Sequence, residues 1–147
     1  MADGFQLIGD KALKRKLMNL AVNTQRKVTR QAITKAATPI VRSAKSKVPR
    51  ESGTLAKSLT KKVKTYKDTM TVVAIIGPSK QTKATYKGKV RMPKFYAHLV
   101  HDGFVTTAGQ HVPGTPFLAN AMEEQQGNAL EMLKSAMATG IIREASK

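Results

Sequence analysis

The sequence contains no cysteine and no tryptophan, and aromatic residues make up only 5% of its 147 positions. Without cysteine it can form no disulfide framework, no thiolate nucleophile and no cysteine-based zinc or iron–sulfur site. Its longest aliphatic run, Val72 to Ile76, is far shorter than the ~20 residues that a membrane-spanning helix needs. The N-terminus has no basic region followed by an apolar stretch, which argues against a secretory signal. We therefore expect no membrane partner and synthesis in a reducing cytoplasm.

Acidic residues are scarce as well, with 9 Asp and Glu against 26 Lys and Arg and a net charge of +17. Residues 1–100 hold 23 basic and 4 acidic side chains, a net of +19, whereas residues 101–147 hold 3 and 5, a net of −2. A positive potential of this size favours polyanions or acidic protein neighbours as partners.

Motifs that carry chemistry are absent. The sequence has no GxxxxGK[ST], GxGxxG or GxSxG pattern, so nucleotide binding and serine hydrolysis have no support. The adjacent Glu123 and Glu124 would point in different directions on a helix, which disfavours a catalytic carboxylate pair. His98 and His101 share a predicted helix face, but no carboxylate has the spacing of a known metal signature, so packing or interface roles are favoured. We expect no catalytic, cofactor-binding or metal-binding residue.

The chain length predicts one domain over residues 1–147, with α+β structure that begins with a long basic helix. The helical spacing of Leu13, Leu17 and Leu20 follows Asp10, a candidate cap, and the apolar period continues to Val48. Because proline lacks the N–H that would bond the carbonyl four residues earlier, Pro39 predicts a kink or break near Thr38.

The middle of the chain predicts a short helical turn and then a hairpin. Thr54 is a candidate cap for a turn that ends at Ser58. The β-rich runs 61–66 and 70–76 are separated by residues 67–69, which indicates antiparallel strands with a three-residue connection. Because both alternating faces of the second run are apolar, we expect it to be a central strand covered on both sides.

The stretch 79–94 is rich in lysine and poor in large apolar residues, which predicts a flexible basic loop. Its cations could follow a phosphate backbone, with Tyr86 and Phe95 available for stacking, although such charge runs are usually just solvated. An acidic neighbouring subunit is the rival partner. The candidate DNA or subunit contacts are Lys80, Lys83, Lys87, Lys89 and Arg91.

The C-terminal third predicts two helices separated by an irregular stretch. The first covers residues 94–102 and ends at Gly103. Residues 103–114 are expected to be irregular, and Thr115-Pro116 is a candidate N-cap and N1 pair for the last helix. The predicted apolar face of that helix consists of Leu118, Met122, Ala129, Leu133, Ala136 and Met137. We expect both terminal helices to pack on the small antiparallel sheet.

Three segments resemble sequence elements of one protein family. Residues 49–59 (PRESGTLAKSL) resemble P-x-[RK]-T-G-x-L-x-x-S-[IL], residues 96–103 (YAHLVHDG) resemble Y-A-x-x-V-E-x-G, and residues 113–121 (PGTPFLANA) resemble P-x-x-P-F-[LM]-x-x-A. In this order they are similar to the small tail-component proteins of long-tailed bacteriophages. His101 stands where the family typically has an acid, and Ser52 replaces the usual threonine. The matching motif residues are Gly53, Leu55, Ser58, Tyr96, Val100, Gly103, Pro113, Pro116, Phe117 and Leu118.

The resemblance implies an α+β, non-enzymatic virion protein of the neck or tail end, assembled in the host cytoplasm. As a tail completion (neck) protein it would form a homo-oligomeric ring, expected to be sixfold, that joins tail to head. Its partners would be the head–tail connector and tail tube proteins, with nonspecific contact to genomic DNA. A tail terminator of the same region is the alternative. The charge alone leaves open a freestanding, sequence-nonspecific nucleic-acid-binding protein.

Overall fold

The structure, a computed structural model, describes residues 11–50, 53–68 and 71–147, and within residues 11–20 it describes the backbone alone. It has the predicted α+β architecture, with a long helix at each end of the chain and three two-stranded antiparallel sheets between them. None of the helices in the described ranges combines the length and hydrophobicity that crossing a bilayer requires. In chain order the elements are α1 (Lys11–Lys47), α2 (Thr54–Ser58), β1 (Leu59–Tyr66), β2 (Thr71–Pro78), β3 (Ala84–Tyr86), β4 (Lys89–Arg91), α3 (Pro93–Asp102), β5 (Gly103–Val105), β6 (His111–Pro113) and α4 (Phe117–Ala145).

Helix α1 runs for 37 residues and continues through Pro39, so the predicted break near Thr38 is wrong. Ala37, two residues before the proline, and Ile40, directly after it, are both buried, and this tertiary packing holds the backbone helical. The Thr38 hydroxyl also donates a hydrogen bond of 3.1 Å to the carbonyl of Thr34. Asp10 and the side chains of the leucines predicted for the first turns lie outside the described residues.

Strands β1 and β2 form the predicted antiparallel hairpin, with Lys62 opposite Ile75 and Lys64 opposite Val73. Tyr66 pairs with Thr71, so the connection has one residue more than predicted, and residues 69–70 lie outside the described part. The prediction that the second strand is central and covered on both faces is wrong. Within the described residues β2 pairs with β1 alone, and Ile75 on its outer face is 45% exposed.

Helix α4 lies antiparallel to α1, because Glu124 near its start pairs with Lys47 and Glu144 near its end pairs with Lys27. The helices approach closely where Gly140 meets Val28, since a Cβ at position 140 would lie 2.7 Å from Val28 Cγ1. The buried face of α4 is therefore lined by small residues, including Ala121, Ala129 and Gly140. Met122, predicted on this face, is 52% exposed, and that part of the prediction is wrong.

The core lies where α2, α3 and the start of α4 meet the C-terminal half of α1. Leu59 and Phe117 are the largest hydrophobic side chains that are almost completely buried there. Ile76 of β2 packs against the same cluster, together with half-buried residues of α3. The buried members of the cluster are Ile40, Ala44, Val48, Leu55, Leu59, Ala97, Phe117, Ala121 and Ala129.

The helix starts differ from prediction by one residue. Gly53, with φ of 69°, occupies the N-cap of α2, and Thr54 is its first helical residue rather than its cap. Similarly Pro116 occupies the N-cap of α4, so Thr115 is not the cap. Helix α3 ends at Gly103 as predicted, and the N–H of Gly103 donates to the carbonyl of Leu99.

Candidate nucleic-acid and subunit interface

The basic stretch 79–94 is not irregular throughout, because its centre folds into a small hairpin of β3 and β4, here called the basic hairpin. Tyr86 pairs with Lys89 across a two-residue turn. Both turn residues have positive φ, 50° at Lys87 and 75° at Gly88, which is the geometry of a tight type I′ hairpin turn. The sequence signal for this turn was the Lys-Gly pair between residues compatible with strands. The predicted flexibility of the segment stays a prediction, which amide exchange can test.

The cations predicted as contacts are all exposed on or beside the basic hairpin. Among the described residues, no carboxylate lies within ion-pair distance of any of these five side chains. Their positive charge is therefore directed to solvent or to a partner, and the structure brings them together around one short β-ribbon. They are Lys80, Lys83, Lys87, Lys89 and Arg91.

Aromatic rings form cation–π contacts with several cations of this surface. Lys87 Nζ lies 5.2 Å and Arg91 Cζ lies 5.0 Å from the centroid of the Tyr86 ring. Lys94 Nζ lies 4.6 Å from the centroid of the exposed Phe95 ring. Cation–π contacts of this kind are worth about 0.5–1 kcal/mol at exposed sites. Tyr86 thus lies beside two charges, and the stacking role considered for it from the sequence stays a prediction.

A second cationic area, missed by the sequence analysis, lies on the outer face of the β1–β2 sheet. Lys62 and Lys64 alternate with inward-facing residues and lie opposite Ile75 and Val73. A groove of about 350 Å³ between Lys62 and Lys80 joins this face to the start of the basic segment. The alternation of lysines in β1 is a sequence signal for this exposed face. The apolar residues of β2 instead favoured the prediction that the strand is covered on both sides.

Helix α1 has many basic residues, but some of their charges are neutralised by carboxylates of the same chain. Lys47 Nζ lies 2.5 Å and Ser43 Oγ lies 3.3 Å from Glu124 Oε2, and hydrogen bonds from Lys47 and Gln125 lower the pKa of that carboxyl. Hydrogen bonds from Lys147 and Lys27 likewise lower the pKa of Glu144. These carboxylates of α4 neutralise part of α1 within the chain, whereas the basic hairpin has no such partner in the described residues.

The histidines are placed as packing and surface residues. His101 Nδ1 lies 2.6 Å from Asp102 Oδ1, and its ring meets Phe117 edge-on with centroids 5.3 Å apart. His98 and His111 are exposed. In the described part of the chain, no three His, Asp or Glu side chains are grouped closely enough to hold a metal ion.

The motif residues lie in the fold's interior and at its backbone junctions. Leu55, Ser58 and Phe117 are buried, and the Ser58 hydroxyl donates to the Leu55 carbonyl at 2.7 Å. Tyr96, Val100 and Leu118 are half-buried against the core cluster. The remaining motif residues, Gly53, Gly103, Pro113 and Pro116, stand at helix caps or in the β5–β6 pair. The motif residues thus shape the scaffold, while the predicted contact cations occupy its surface.

The sequence profile of a known protein family matches this chain. The profile of the family described as "Bacteriophage HK97-gp10, putative tail-component" matches residues 11–103, well over half of the chain. The match begins with α1 and includes the first two motif segments, the β1–β2 sheet, the basic hairpin and α3. No curated protein and no solved structure matches the chain.

Proposed function

From the premise that the chain belongs to the HK97-gp10-like family of bacteriophage tail components, we propose that it is a tail completion (neck) protein at the head–tail junction. In this function it assembles as a homo-oligomeric ring and helps to join the tail to the head. It acts by docking onto other virion proteins and not by catalysis. Neighbouring head–tail connector and tail tube proteins are its partners, and the virion is its final location.

The observation that carries the proposal, beyond the family, is the separation of roles within the chain. Motif residues such as Phe117 and Leu55 are buried and build a scaffold. The exposed cations around the basic hairpin have no carboxylate partner among the described residues. A scaffold that presents unneutralised charge on a short, oriented ribbon suits attachment to an anionic surface.

The anionic surface can be genomic DNA or an acidic neighbour in the particle. Lysines on a small hairpin would hold phosphates loosely and read no bases, which suits a passage through which DNA must later leave. The same lysines would speed and orient docking onto acidic subunits. Particle morphology and DNA retention distinguish these two uses.

Deletion of this coding sequence from its parental phage, with complementation by a plasmid copy, tests the proposal. Electron microscopy should show DNA-filled heads and separate tails of normal length, and complementation should restore joined particles. Tails of uncontrolled length would instead support the tail terminator alternative. Normal infectious virions in the deletion strain would overturn both assignments.

A freestanding nucleic-acid-binding protein is the second candidate, favoured by the same exposed cations. Such a protein would bind duplex DNA with a steep salt dependence but would be missing from purified virions. Mass spectrometry of purified particles therefore distinguishes the candidates, because a neck protein must be present in a small, constant copy number per particle.

A further inference from the structure

The sequence predicts irregular structure for residues 103–114, but this segment forms a second hairpin, of β5 and β6, here called the apolar hairpin. It contains no Asp, Glu, Lys or Arg, in a chain where 24% of residues are charged. Val105 is 64% exposed, and the cross-strand pair Phe104 and Val112, on the other side of the ribbon, is 40% and 37% exposed. A solvent-exposed ribbon of apolar, uncharged residues is typical of a surface that binds a partner.

The apolar hairpin is well ordered by its own backbone. At its base the N–H of Thr115 donates to the carbonyl of Val100 at 2.8 Å. At its tip Thr106 N–H donates to Gln110 O at 2.8 Å, and Gly109 N–H donates to Thr106 O at 2.9 Å. The exposed side chains are therefore presented on a preformed element, which lowers the entropic cost of docking.

A complementary surface lies between β2 and α4, with α1 as its floor. This apolar groove has a volume of about 310 Å³. Its walls include Ala74 and Ile76 from β2 and Met122 and Leu130 from α4, and Leu130 is 50% exposed. Among the described residues that line the groove, Gln126 is the one polar side chain, and none is charged. The groove therefore accepts apolar side chains and offers nothing to a charged one.

The distribution of charge favours a second copy of this chain as the occupant. Each copy carries +17, so two copies repel one another unless they meet where Lys and Arg are absent. The apolar hairpin and the apolar groove meet this condition, whereas an acidic partner would gain more from the basic hairpin. Both surfaces are open within one chain, because Val105 and Leu130 keep half or more of their area exposed.

We propose that the apolar hairpin of one subunit inserts into the apolar groove of the next subunit, with Phe104 and Val112 on one side of the ribbon and Val105 on the other, both in contact with the groove. Because hairpin and groove are different surfaces, the contact is heterologous, and a heterologous contact that closes produces a ring. This inference rests on the proposed ring assembly and names the surfaces that form it. The basic hairpin then stays available for DNA or for other virion proteins.

Cysteine pairing tests the contact directly, since the natural chain has no cysteine. Full-length Val105→Cys and Leu130→Cys chains, one carrying a mass tag, are mixed and oxidised. Disulfide-linked pairs of unlike chains are expected, whereas mixing Val90→Cys with Leu130→Cys should give at most a tenth of that yield. Val90, at 67% exposure on the basic hairpin, is a matched control outside the proposed contact. Equal yields from both mixtures would overturn the inference.

Assembly of charge variants separates this inference from the proposed function. Val105→Lys and Leu130→Lys should each raise the concentration needed for assembly at least about tenfold, since either places an ammonium in an apolar contact. Val90→Lys should leave it unchanged, and circular dichroism checks that all three fold. Rings that persist in both variants overturn the hairpin–groove contact but leave the ring proposal standing. A parent chain that neither assembles nor crosslinks overturns the contact, while phage complementation still decides the neck function.

Discussion

The ammonium group of Lys61 on β1 donates a hydrogen bond of 2.7 Å to the main-chain carbonyl of Thr34 in the middle of α1. It also hydrogen-bonds Thr38 Oγ1, one residue before Pro39. Lys61 is half-buried on the inner face of the sheet, whereas Lys62 and Lys64 of the same strand are exposed on the outer face. A single lysine thus stabilises the helix next to its proline and joins the sheet to the helix.

We predict that Lys61→Met lowers the free energy of unfolding by about 1–2 kcal/mol, because the Thr34 carbonyl loses a charged donor. Lys62→Met, one residue away on the exposed face, should change it by less than about 0.5 kcal/mol. Urea denaturation of both variants measures the difference. Equal effects would show that the contact with α1 contributes nothing to stability.

Gly103 and Gly114 are expected to be intolerant of side chains. Gly103 has φ of 82°, and a Cβ there would lie 2.6 Å from Gly114 N and from Val112 O. Gly103→Ala should therefore cost about 2–4 kcal/mol, from backbone strain and overlap together. Gly109→Ala, at φ of 78° with open space around it, isolates the strain and should cost about 1–2 kcal/mol. Thermal unfolding of both variants measures this, and indistinguishable melting temperatures would contradict the close approach.

Phe117 and Leu118 should differ in their contribution to stability. Phe117 is completely buried against the core cluster and the His101 ring, so Phe117→Ala should cost about 3–5 kcal/mol. Leu118 is only half-buried, and Leu118→Ala should cost about half as much. Chemical denaturation checks the order of the two effects. A Phe117→Ala chain that unfolds like the parent would mean that the start of α4 is placed incorrectly.

The basic hairpin should determine how the protein meets its anionic partner. Changing Lys80, Lys83, Lys87 and Lys89 to Gln should reduce duplex DNA affinity regardless of base sequence and reduce its salt dependence. Joined particles of normal shape that retain or eject DNA abnormally would support contact with the genome. Heads that fail to join tails, with DNA binding by the purified protein unchanged, would support an acidic subunit as the partner.

A matched control for this variant removes the same number of exposed lysines elsewhere, at positions Lys35, Lys57, Lys67 and Lys134. It changes the net charge equally but leaves the basic hairpin intact. Equal losses of DNA affinity in both variants would mean that total charge, and not this surface, governs binding.

Acid should weaken the pairing of α1 with α4. The pKa values of Glu124 and Glu144 are lowered in the folded chain, chiefly by hydrogen bonds from Lys47 and Lys147, so the unfolded chain takes up their protons first as pH falls. Their stabilising contribution is therefore complete near neutral pH and is lost as pH falls through the acidic range below about 5. Glu124→Gln with Glu144→Gln should flatten the decline in unfolding free energy over that range. An unchanged pH profile would contradict this.

The sequence by itself determined the elements whose signals are local. Helical periodicity predicted α1 and α4, alternation predicted the β1–β2 hairpin, and Gly103 marked the end of α3, because backbone preferences and side-chain spacing act within a few residues. The motif segments also predicted the family, because turn glycines, prolines and an aromatic anchor recur at set spacing. The cationic character of residues 79–94 needed only the residue types.

Only the tertiary structure decided which faces of the helices and strands are covered. It also decided where the backbone conformation differs from the one that the local sequence favours. Pro39 stays helical because buried neighbours and Lys61 hold it, and β2 leaves Val73 and Ile75 exposed because no described strand or helix covers that side. The buried face of α4 contains Ala121 and not the predicted Met122, because Gly140 and Val28 set a close helix approach that suits small side chains. Side-chain burial depends on partners distant in sequence, so the apolar groove and the apolar hairpin emerge only when those partners are in place.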